Sequence, residues 1–328
     1  MAPTPTPSLT VLDVGHGSCA VLNEADRTVV FDAGPKSGLL EYLLQQRITK
    51  IDLVLISHAD EDHIGGLIAL LATNSFDIKV IRLNTDSLKG SDIWNDLAFE
   101  LDELSRNGKL DYSPALTVAD NGKFDSANVK VEILGPSTFL ATKGPGGKDA
   151  DGRKITTNSI SAVIRLQCKG HAVVLLTGDM DQIGIDELKR TGSSIEADVL
   201  VFPHHGGKGA ADMAKFSAEL YASVKPKWVL FSIGRGMHGT PIPEVIAEAR
   251  KIADLKISCT QLSEHCSAAP PGQDHTHLSP IFARGRDSRH CCAGSITIPL
   301  DPAETAFPVW DEHQQFITSS APTALCRK

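Results

Sequence analysis

The chain has 328 residues, of which 41% are apolar and 22% charged, a composition typical of a soluble globular protein with ample material for a core. Its formal net charge of −8 argues against broad, nonspecific nucleic-acid binding and leaves room for a local basic patch. No run approaches the ~18 apolar residues of a membrane helix, and the N-terminus lacks the features of a secretory signal. We therefore expect a cytoplasmic protein that does not associate with membranes.

Short β-rich runs separated by turn residues predict an antiparallel meander at the start of the chain. Alternating strand and helix patterns follow it. The predicted elements of the first half are strands at 9–14, 19–22 and 28–31, a helix at 37–47, a strand at 53–57, a helix to about 72, a strand at 78–83 and a helix at 93–106. Residues 113–134 again have a strand-like pattern, and residues 137–154 are predicted to form a long loop.

The second half repeats this order of elements. They are strands at 159–166 and 172–176, a helix at 183–190, a strand at 198–202, a helix at 213–224, a strand at 228–233, a helix at 243–252 and a last strand at 295–298, with a mostly irregular tail beyond residue 301. Two halves of mixed strands flanked by helices predict an α/β (α+β) fold with two sheets face to face and helices outside. We expect a disordered lead at 1–7, one domain at 8–258, and a Cys/His-rich extension at 259–328 that packs on it.

Four potential metal ligands occur within six positions directly after the buried strand: His58, Asp60, Asp62 and His63. On extended backbone His58 and Asp60, two residues apart, can point the same way, whereas Asp62 and His63 at the start of a helix can face a second point nearby. A solvated loop with acidic residues in the first helical turn would explain the aspartates but not both histidines. The cluster therefore predicts a frame for two metal ions.

Three further strands also end abruptly in polar residues. The residues concerned are Asp179, the pair His204 and His205, and His238. A single strand-end aspartate is usually a turn residue, and a histidine pair alone is more often at the surface. Because two catalytic ions need roughly three or more protein ligands each, these positions together with the first cluster predict a dinuclear centre.

Seven segments occur in the order and spacing of a known family over roughly residues 8–258. They are DVGHGS at 13–18, FDAGP at 31–35, SHADEDHIGG at 57–66, NSISAVIRL at 158–166, LLTGD at 175–179, VFPHHGG at 201–207, and SIG with HGTPIPEV at 232–245. The sequence resembles the metallo-β-lactamase fold superfamily, in particular its ComEC-like branch, the hydrolase domain found with bacterial DNA-uptake channels. The resemblance implies a four-layer αβ/βα sandwich with a metal site at one edge of the two sheets.

Carried over residue by residue, the resemblance implies a set of metal ligands. They are His58, Asp60, Asp62, His63, Asp179, His204, His205 and His238. In this arrangement His58 and Asp60 bind one metal, Asp62 and His63 bind the other, and Asp179 bridges both. One histidine of the HHG motif completes a site, and His238 is the candidate for the last position. The residues assigned to catalysis are Asp62, Asp179 and His205.

Three positions depart from the family pattern. Asp60 replaces the second histidine of the common HxHxDH cluster, as is usual in this branch; Ser18 stands where the branch has an acidic residue; and Thr240 stands in place of the histidine of GHP. Exchanging an imidazole for a carboxylate at position 60 makes the site harder and more negative. Mn²⁺ or Mg²⁺ therefore becomes more competitive with Zn²⁺.

Two metal ions about 3.5–4 Å apart can share a bridging hydroxide, lower its pKa and clamp both the attacking and the leaving oxygen. This chemistry suits phosphodiester hydrolysis, and the chain has no serine-centred triad signature. The leading hypothesis is a phosphodiesterase or nuclease, with DNA as substrate by analogy with the branch. One alternative is a metal-dependent hydrolase of a small phosphoester, cyclic nucleotide or amide-type bond. Another is a non-catalytic, metal-stabilised partner in a larger assembly such as a defence system, docked through the Cys/His-rich region.

Residues around the centre receive supporting roles. Asp13, Asp32 and Asn158 are candidates for orienting ligands from behind, with plain turn residues as the alternative. Predicted contacts to substrate phosphates come from Lys148, Arg153, Lys154, Lys208 and Arg235, with a solvated loop as the alternative.

The cysteines of the C-terminal extension are the last candidates. Cys259, Cys266, Cys291 and Cys292 could hold a structural zinc ion. Their spacing lacks the CxxC pairs of strong zinc motifs, so buried free cysteines, disulfides or redox roles remain alternatives.

Overall fold

Two β-sheets of similar design lie at the centre of the protein, which a computed structural model describes for residues 6–73, 75–271, 276–304 and 309–327. The strands are β1 (Ser8–Val11), β2 (Cys19–Asn23), β3 (Thr28–Ala33), β4 (Lys50–Ile51), β5 (Leu53–Ile56), β6 (Asp77–Ile78), β7 (Val80–Leu83), β8 (Asp111–Ser113), β9 (Val129–Gly135), β10 (Val163–Cys168), β11 (His171–Leu176), β12 (Val199–Val201), β13 (Trp228–Phe231), β14 (Lys256–Cys259) and β15 (Ile296–Pro299). The helices are α1 (Gly38–Gln45), α2 (Glu61–Ala72), α3 (Asp92–Arg106), α4 (Thr138–Lys143), α5 (Gln182–Thr191), α6 (Met213–Val224), α7 (Pro243–Ala249) and α8 (Trp310–Ser320).

Each large sheet combines an antiparallel meander with a run of parallel strands. The strand order is β15-β1-β2-β3-β5-β7-β8 in the first sheet and β14-β13-β12-β11-β10-β9 in the second, while β4 and β6 form a small pair. The parallel strands are β3, β5, β7 and β8 in one sheet and β11 to β14 in the other. The amide of Ala162 donates to the carbonyl of Ser57 (3.0 Å), which ties the segment before β10 to the end of β5.

Strand β5 shows why the layers form. Leu53 and Leu55 belong to the core between the sheets, whereas Val54 and Ile56 pack into the core beneath the helices of the first half. Because both faces of the strand are buried, its sequence is a continuous apolar run rather than an alternating one. A third core packs α5, α6, α7 and α8 on the second sheet. The predicted four-layer αβ/βα sandwich is confirmed.

The C-terminal extension contributes residues to the edge strands of both sheets. The predicted division at residue 258 falls inside β14, an edge strand of the second sheet, and β15 pairs with β1 at the edge of the first. The prediction of an irregular tail is wrong for 310–320, which form α8. Its Phe316 and Ile317 are buried against the second sheet's outer core, so apolar burial holds this helix.

Two other segments differ from their predictions. The strand-like region 113–134 contains only the end of β8, a 3-10 turn at Val118–Asp120 and the start of β9. The predicted loop 137–154 begins with α4, which Ser137 caps by accepting a hydrogen bond from the amide of Leu140. Such a cap stabilises even a short helix. The glycine-rich composition of the segment hides this helix from a prediction based on sequence.

Two further expectations concern the N-terminal lead and membrane-spanning helices. Residues 1–5 of the predicted lead lie outside the described residues. Among the residues that are described, no helix has both the length and the apolarity to cross a bilayer.

The side chain of His313 on α8 predicts acid sensitivity of the fold. Its ring is 0% exposed, and burial, with a smaller contribution from His277, lowers its pKa from 6.5 to about 3. The unfolded chain therefore binds a proton below pH 6.5 that the folded chain refuses until about pH 3. We expect this group to lower the free energy of unfolding by roughly 2 kcal/mol between pH 7.5 and pH 5.

Urea unfolding of the chelator-treated protein at several pH values checks this expectation against His313→Gln, whose side chain does not titrate. The variant should lose less stability than the wild type on acidification. Equal losses in both proteins would show that His313 does not carry the effect.

Candidate metal centre

Three buried side chains meet where β5 and β11 end. His58 follows β5, His63 lies in the first turn of α2, and Asp179 follows β11; one ligand atom of each lies within 4.8 Å of the others. Nε2 of both histidines and Oδ1 of Asp179 are buried without a hydrogen-bond partner. Unsatisfied buried polar atoms are costly, and three that converge fit a cation that they would bind together.

Hydrogen bonds behind the histidines aim these nitrogens at one point. Nδ1 of His63 donates to Oδ2 of Asp32 (2.8 Å), and Nδ1 of His58 donates to Oγ of Ser57 (3.0 Å). Ser57 is held by Asp32 in turn, through its amide (2.7 Å) and its hydroxyl (2.9 Å). With the proton on Nδ1, each ring presents its Nε2 lone pair to the centre. Asp32 thus lies in the orienting position predicted for it.

The turn that carries Asp179 depends on a glycine. Gly178 has φ +49°, and a Cβ there would lie 2.3 Å from the hydroxyl of Ser161. That hydroxyl accepts a hydrogen bond from the amide of Asp179 (2.9 Å). A side chain at position 178 would therefore displace the serine that fixes the aspartate.

A second group of ligand atoms lies beside the first. It consists of His16, Asp62 and His205, again with ligand atoms within 4.8 Å of one another. Gly17 lets the loop of His16 approach, because a Cβ at this glycine (φ +142°) would lie 2.5 Å from the carbonyl oxygen of Asp62. Burial, reinforced by the charge of His205, lowers the pKa of His16 to about 4, so its ring is neutral at pH 7.

His16 is a site residue that the sequence analysis misses. It lies in DVGHGS, a segment that contributes to the family resemblance, but it reads as a turn residue between two antiparallel strands. A histidine flanked by two glycines is the available signal, because such a turn can bring the ring close to another backbone.

The HHG turn separates its two histidines. His205 donates from Nδ1 to the carbonyl of Ser232 (2.7 Å) and faces Asp62 with Nε2. His204 instead places Nδ1 near Oδ2 of Asp179 (2.9 Å) and the amide of Asn158 (3.2 Å). Both histidines have positive φ, 51° and 56°, a strained conformation that costs about 1–3 kcal/mol per residue. Of this pair, only His205 belongs to a ligand group.

Charges within the centre balance each other. Burial by itself would raise the pKa of Asp62 and Asp179, but the nearby charge of His63 and contacts with His205 hold both well below the usual range. Burial by itself would lower the pKa of His63, but the carboxylates of Asp32 and Asp179 raise it. The carboxylates of Asp62 and Asp179 are thus ionised, and a metal that binds here replaces the additional proton of His63.

Two other predicted ligands lie next to these groups without joining them. Oδ2 of Asp60 is 3.7 Å from Nε2 of His58, while its Oδ1 accepts a hydrogen bond from Nζ of Lys89. Burial raises the pKa of Asp60, but His58 and Lys89 together lower it to about 2. His238 is exposed, with its ring 4.6 Å from that of His16.

The structure groups the ligands of the HADEDH segment (58–63) differently from the resemblance. The resemblance pairs His58 with Asp60 and Asp62 with His63, whereas in the structure the two buried histidines share a group and Asp62 belongs to the other. The rings of His58 and His63 lie 4.1 Å apart, because only four residues separate β5 from α2 and His63 lies in the first turn of that helix.

Asp13 has a different role from the one predicted. Its carboxylate accepts hydrogen bonds from the amides of Gly15 (3.1 Å) and Gly285 (2.9 Å), the side chain of Gln261 (2.8 Å) and the thiol of Cys291 (3.4 Å). It makes no hydrogen bond to a residue of either ligand group. Asp13 therefore anchors the C-terminal extension instead of orienting a metal ligand.

The predicted cysteine site for structural zinc does not form. Cys259, Cys266, Cys291 and Cys292 are buried free thiols, and no three of them bring their sulfur atoms together within 4.8 Å. Cys292 contacts Nε2 of His313 (3.3 Å), whereas Cys291 contacts Asp13. These thiols pack as small buried side chains, the alternative that the spacing leaves open.

A cleft of about 590 Å³ is lined by Asp179 of the first ligand group and by all three residues of the second. None of the five predicted phosphate-binding residues lines it: Lys148, Arg153, Lys154, Lys208 and Arg235. Arg153 is neutralised by Asp149 (2.7 Å) and Asp186 (2.5 Å), and Arg235 donates to the carbonyls of Leu262 and Ser267 in the extension. The cationic side chains that do line the cleft are Lys36 and Arg284.

Asp32→Asn tests the hydrogen bonds behind the buried group. An asparagine amide facing Nδ1 favours the tautomer that puts the proton on Nε2 of His63, which cannot then bind a metal. We expect metal affinity to fall about 10–100-fold. Chelator-competition titration measures it, with the exposed Asp111→Asn as control. An affinity within twofold of the wild type would contradict this role.

Comparison with known proteins agrees with the topology. Residues 12–232 match the family model of the metallo-beta-lactamase superfamily. The competence protein ComA of Neisseria gonorrhoeae is 23% identical over 261 residues, covering 78% of this chain and 31% of ComA. ComE operon protein 3 of Bacillus subtilis (strain 168) is 27% identical over 206 residues, covering 62% of this chain and 23% of that protein. The chain thus spans less than a third of the length of these relatives.

Among solved structures, the metallo-beta-lactamase fold protein YhfI of Bacillus subtilis is similar, with a TM-score of 0.47 and 13% identity. The match covers 78% of this chain and 96% of YhfI.

Proposed function

The chain belongs to the metallo-β-lactamase superfamily, and from this membership and its two ligand groups we propose that it is a dinuclear-metal-dependent phosphodiesterase that cleaves DNA. The observation that carries the proposal is the convergence of buried atoms without partners: Nε2 of His58, Nε2 of His63 and Oδ1 of Asp179. A purely structural metal site is normally closed, whereas Asp179 and all three residues of the second ligand group line a cleft of about 590 Å³.

Each ligand group would hold one divalent ion, and the candidate metals are Zn²⁺, Mn²⁺ and Mg²⁺. His58, His63 and Asp179 would hold one, while His16, Asp62 and His205 would hold the other. Oδ1 of Asp179 lies 3.2 Å from Nε2 of His63 and 3.6 Å from Nε2 of His205, so this carboxylate can serve both ions. Two bound ions would activate water as nucleophile and stabilise charge on the phosphoryl and leaving oxygens.

The surrounding residues keep the ligands ready for this chemistry. Asp32 holds the proton on Nδ1 of His63, and the carbonyl of Ser232 holds it on Nδ1 of His205. Both Nε2 atoms then face the centre as lone pairs. This preorganisation is typical of catalytic sites, since the ligands need not rearrange during reaction.

DNA as substrate is supported by the resemblance to the hydrolase domain of the ComEC-like branch and by the similarity to a protein named competence protein ComA. The test is metal-dependent cleavage of single- and double-stranded DNA by the wild type and by the double variant Asp62→Ala, His63→Ala. We expect cleavage by the wild type alone. Equal activity of the two proteins would refute the proposal, and a panel of β-lactams and cyclic nucleotides would expose a different substrate class.

A further inference from the structure

Part of the wall of the metal-centre cleft is cationic. Lys36 and Arg284 line it together with His16, Asp62, Asp179 and His205. We propose that Lys36 and Arg284 each bind a phosphate that flanks the scissile one, so that the cleft binds a single polynucleotide strand more tightly than an isolated diester. The inference rests on the proposed function and names residues to which no comparison assigns a role.

Hydrogen bonds to Asp13 hold the main chain of Arg284 beside the cleft. Its amide donates to the carbonyl of Asp13 (2.8 Å), and the next amide, that of Gly285, donates to the Asp13 carboxylate (2.9 Å). Asp13 is 0% exposed, and Gln261 also donates to it (2.8 Å). The main chain of Arg284 is thus fixed beside the loop that carries His16, although the two lie 268 positions apart in sequence.

The side chain of Arg284 remains available to a ligand. Its Cγ lies 3.8 Å from the position of a Cβ built on Gly15, so the stem runs along the same loop. Its guanidinium is 3.7 Å from Oε1 of Glu41, and the two side chains are 45% and 47% exposed. An exposed pair at this distance contributes little, so a phosphate can replace the carboxylate and accept two parallel hydrogen bonds.

Lys36 combines a fixed backbone with a free ammonium group. It has φ +56°, and its main chain lies against α2, within 3.3 Å of the position of a Cβ on Gly65. Among the residues that the structure describes, no carboxylate lies within ion-pair distance of its Nζ. A lysine held this way at the wall of a cleft is suited to a phosphate.

Charge explains why such a pair is needed. The chain has a net charge of −8, and Asp60, Glu61, Asp62 and Asp179 line the same cleft. A polyanionic strand would be repelled from most of this surface. Two cations outside both ligand groups offset this repulsion locally and leave the ligand atoms to the metals and the reacting phosphate.

The salt dependence of strand binding tests the inference. The probe is a fluorescent phosphorothioate oligothymidylate, which resists cleavage, bound to metal-reconstituted protein at several salt concentrations. Lys36→Met and Arg284→Met should each reduce the slope of log affinity against log salt by about 0.7, the value for one phosphate contact on a single strand. Lys130→Met, exposed on β9 and outside the cleft, should keep the wild-type slope. Arg284→Lys should retain most of it.

Hydrolysis separates the two proposals. Bis(4-nitrophenyl) phosphate has no flanking phosphate, so both methionine variants should hydrolyse it at the wild-type rate while KM for oligonucleotide rises about tenfold. If the wild type hydrolyses the small diester but the slopes do not change in either variant, the inference fails and the proposed function stands. If the wild type hydrolyses neither substrate, the proposed function fails. Melting temperatures within about 2–3 °C of the wild type establish that the variants are folded.

Discussion

Replacing Asp179 with asparagine is expected to lower the rate of phosphodiester hydrolysis by more than about a hundredfold. Loss of a residue that only orients a metal ligand already costs about 10–100-fold in affinity or activity, and Asp179 is itself a ligand. Its two oxygens face His58, His63, His204 and His205 at distances of 2.9 to 3.8 Å. Asparagine keeps the shape of the side chain but removes the negative charge that both ions would share. Metal content per protein should fall together with the rate.

Asp102→Asn is the matched control for this substitution. Asp102 is an exposed residue on α3 paired with Arg106, so its loss should leave metal content and rate unchanged. Steady-state hydrolysis of bis(4-nitrophenyl) phosphate and elemental analysis of the same samples provide the readouts. Wild-type rates in Asp179→Asn would remove this carboxylate from the mechanism.

Metal removal should destabilise the fold. The centre buries ionised carboxylates and histidines whose free ligand atoms gain partners only from a bound cation. At free metal 1,000-fold above the dissociation constant, binding stabilises the folded chain by about 4 kcal/mol, which corresponds to a melting temperature roughly 8 °C higher. We expect chelation to remove this increment and metal addition to restore it.

Thermal unfolding of chelated protein with Zn²⁺, Mn²⁺ or Mg²⁺ added separately measures this effect and ranks the metals. The Asp62→Ala, His63→Ala variant, which lacks one ligand from each group, should show little response. A melting temperature that no metal changes would contradict the assignment of these groups as metal sites.

The sequence is most informative where ligands follow a parallel strand directly. His58, Asp62, His63, Asp179 and His205 come from strand ends, and parallel strands bring such ends to one edge of a sheet. Apolar periodicity in the sequence predicts both sheets and most of the helices. These parts need only local patterns and one rule of topology.

Site residues that lie in loops or in distant segments of the chain are harder to predict from the sequence. His16 lies in a turn between antiparallel strands, and Arg284 reaches the cleft only because Asp13 anchors the extension. Asp13 itself resembles a strand-end ligand, but its hydrogen bonds point away from the metal groups. The decisive contacts of Asp13 join residues more than 200 positions apart, and His16 meets Asp62 and His205 from 46 and 189 positions away. No local pattern reveals contacts at such separations.

Lys89 modifies the argument drawn from Asp60. The sequence comparison suggests a centre made more negative by a carboxylate in place of histidine, but Nζ of Lys89 pairs with that carboxylate. Asp60 lies outside both ligand groups, and Lys89 offsets its charge. The replacement of histidine by Asp60 therefore gives no argument for Mn²⁺ or Mg²⁺ over Zn²⁺ in the structure.

The central claim is that two ions together hydrolyse a phosphodiester. Its most direct test is the rate of bis(4-nitrophenyl) phosphate hydrolysis while metal-free protein is titrated with increasing equivalents of metal. We predict that the rate reaches a plateau at two equivalents per chain. A plateau at one equivalent, or no hydrolysis at any metal ratio, would contradict the claim.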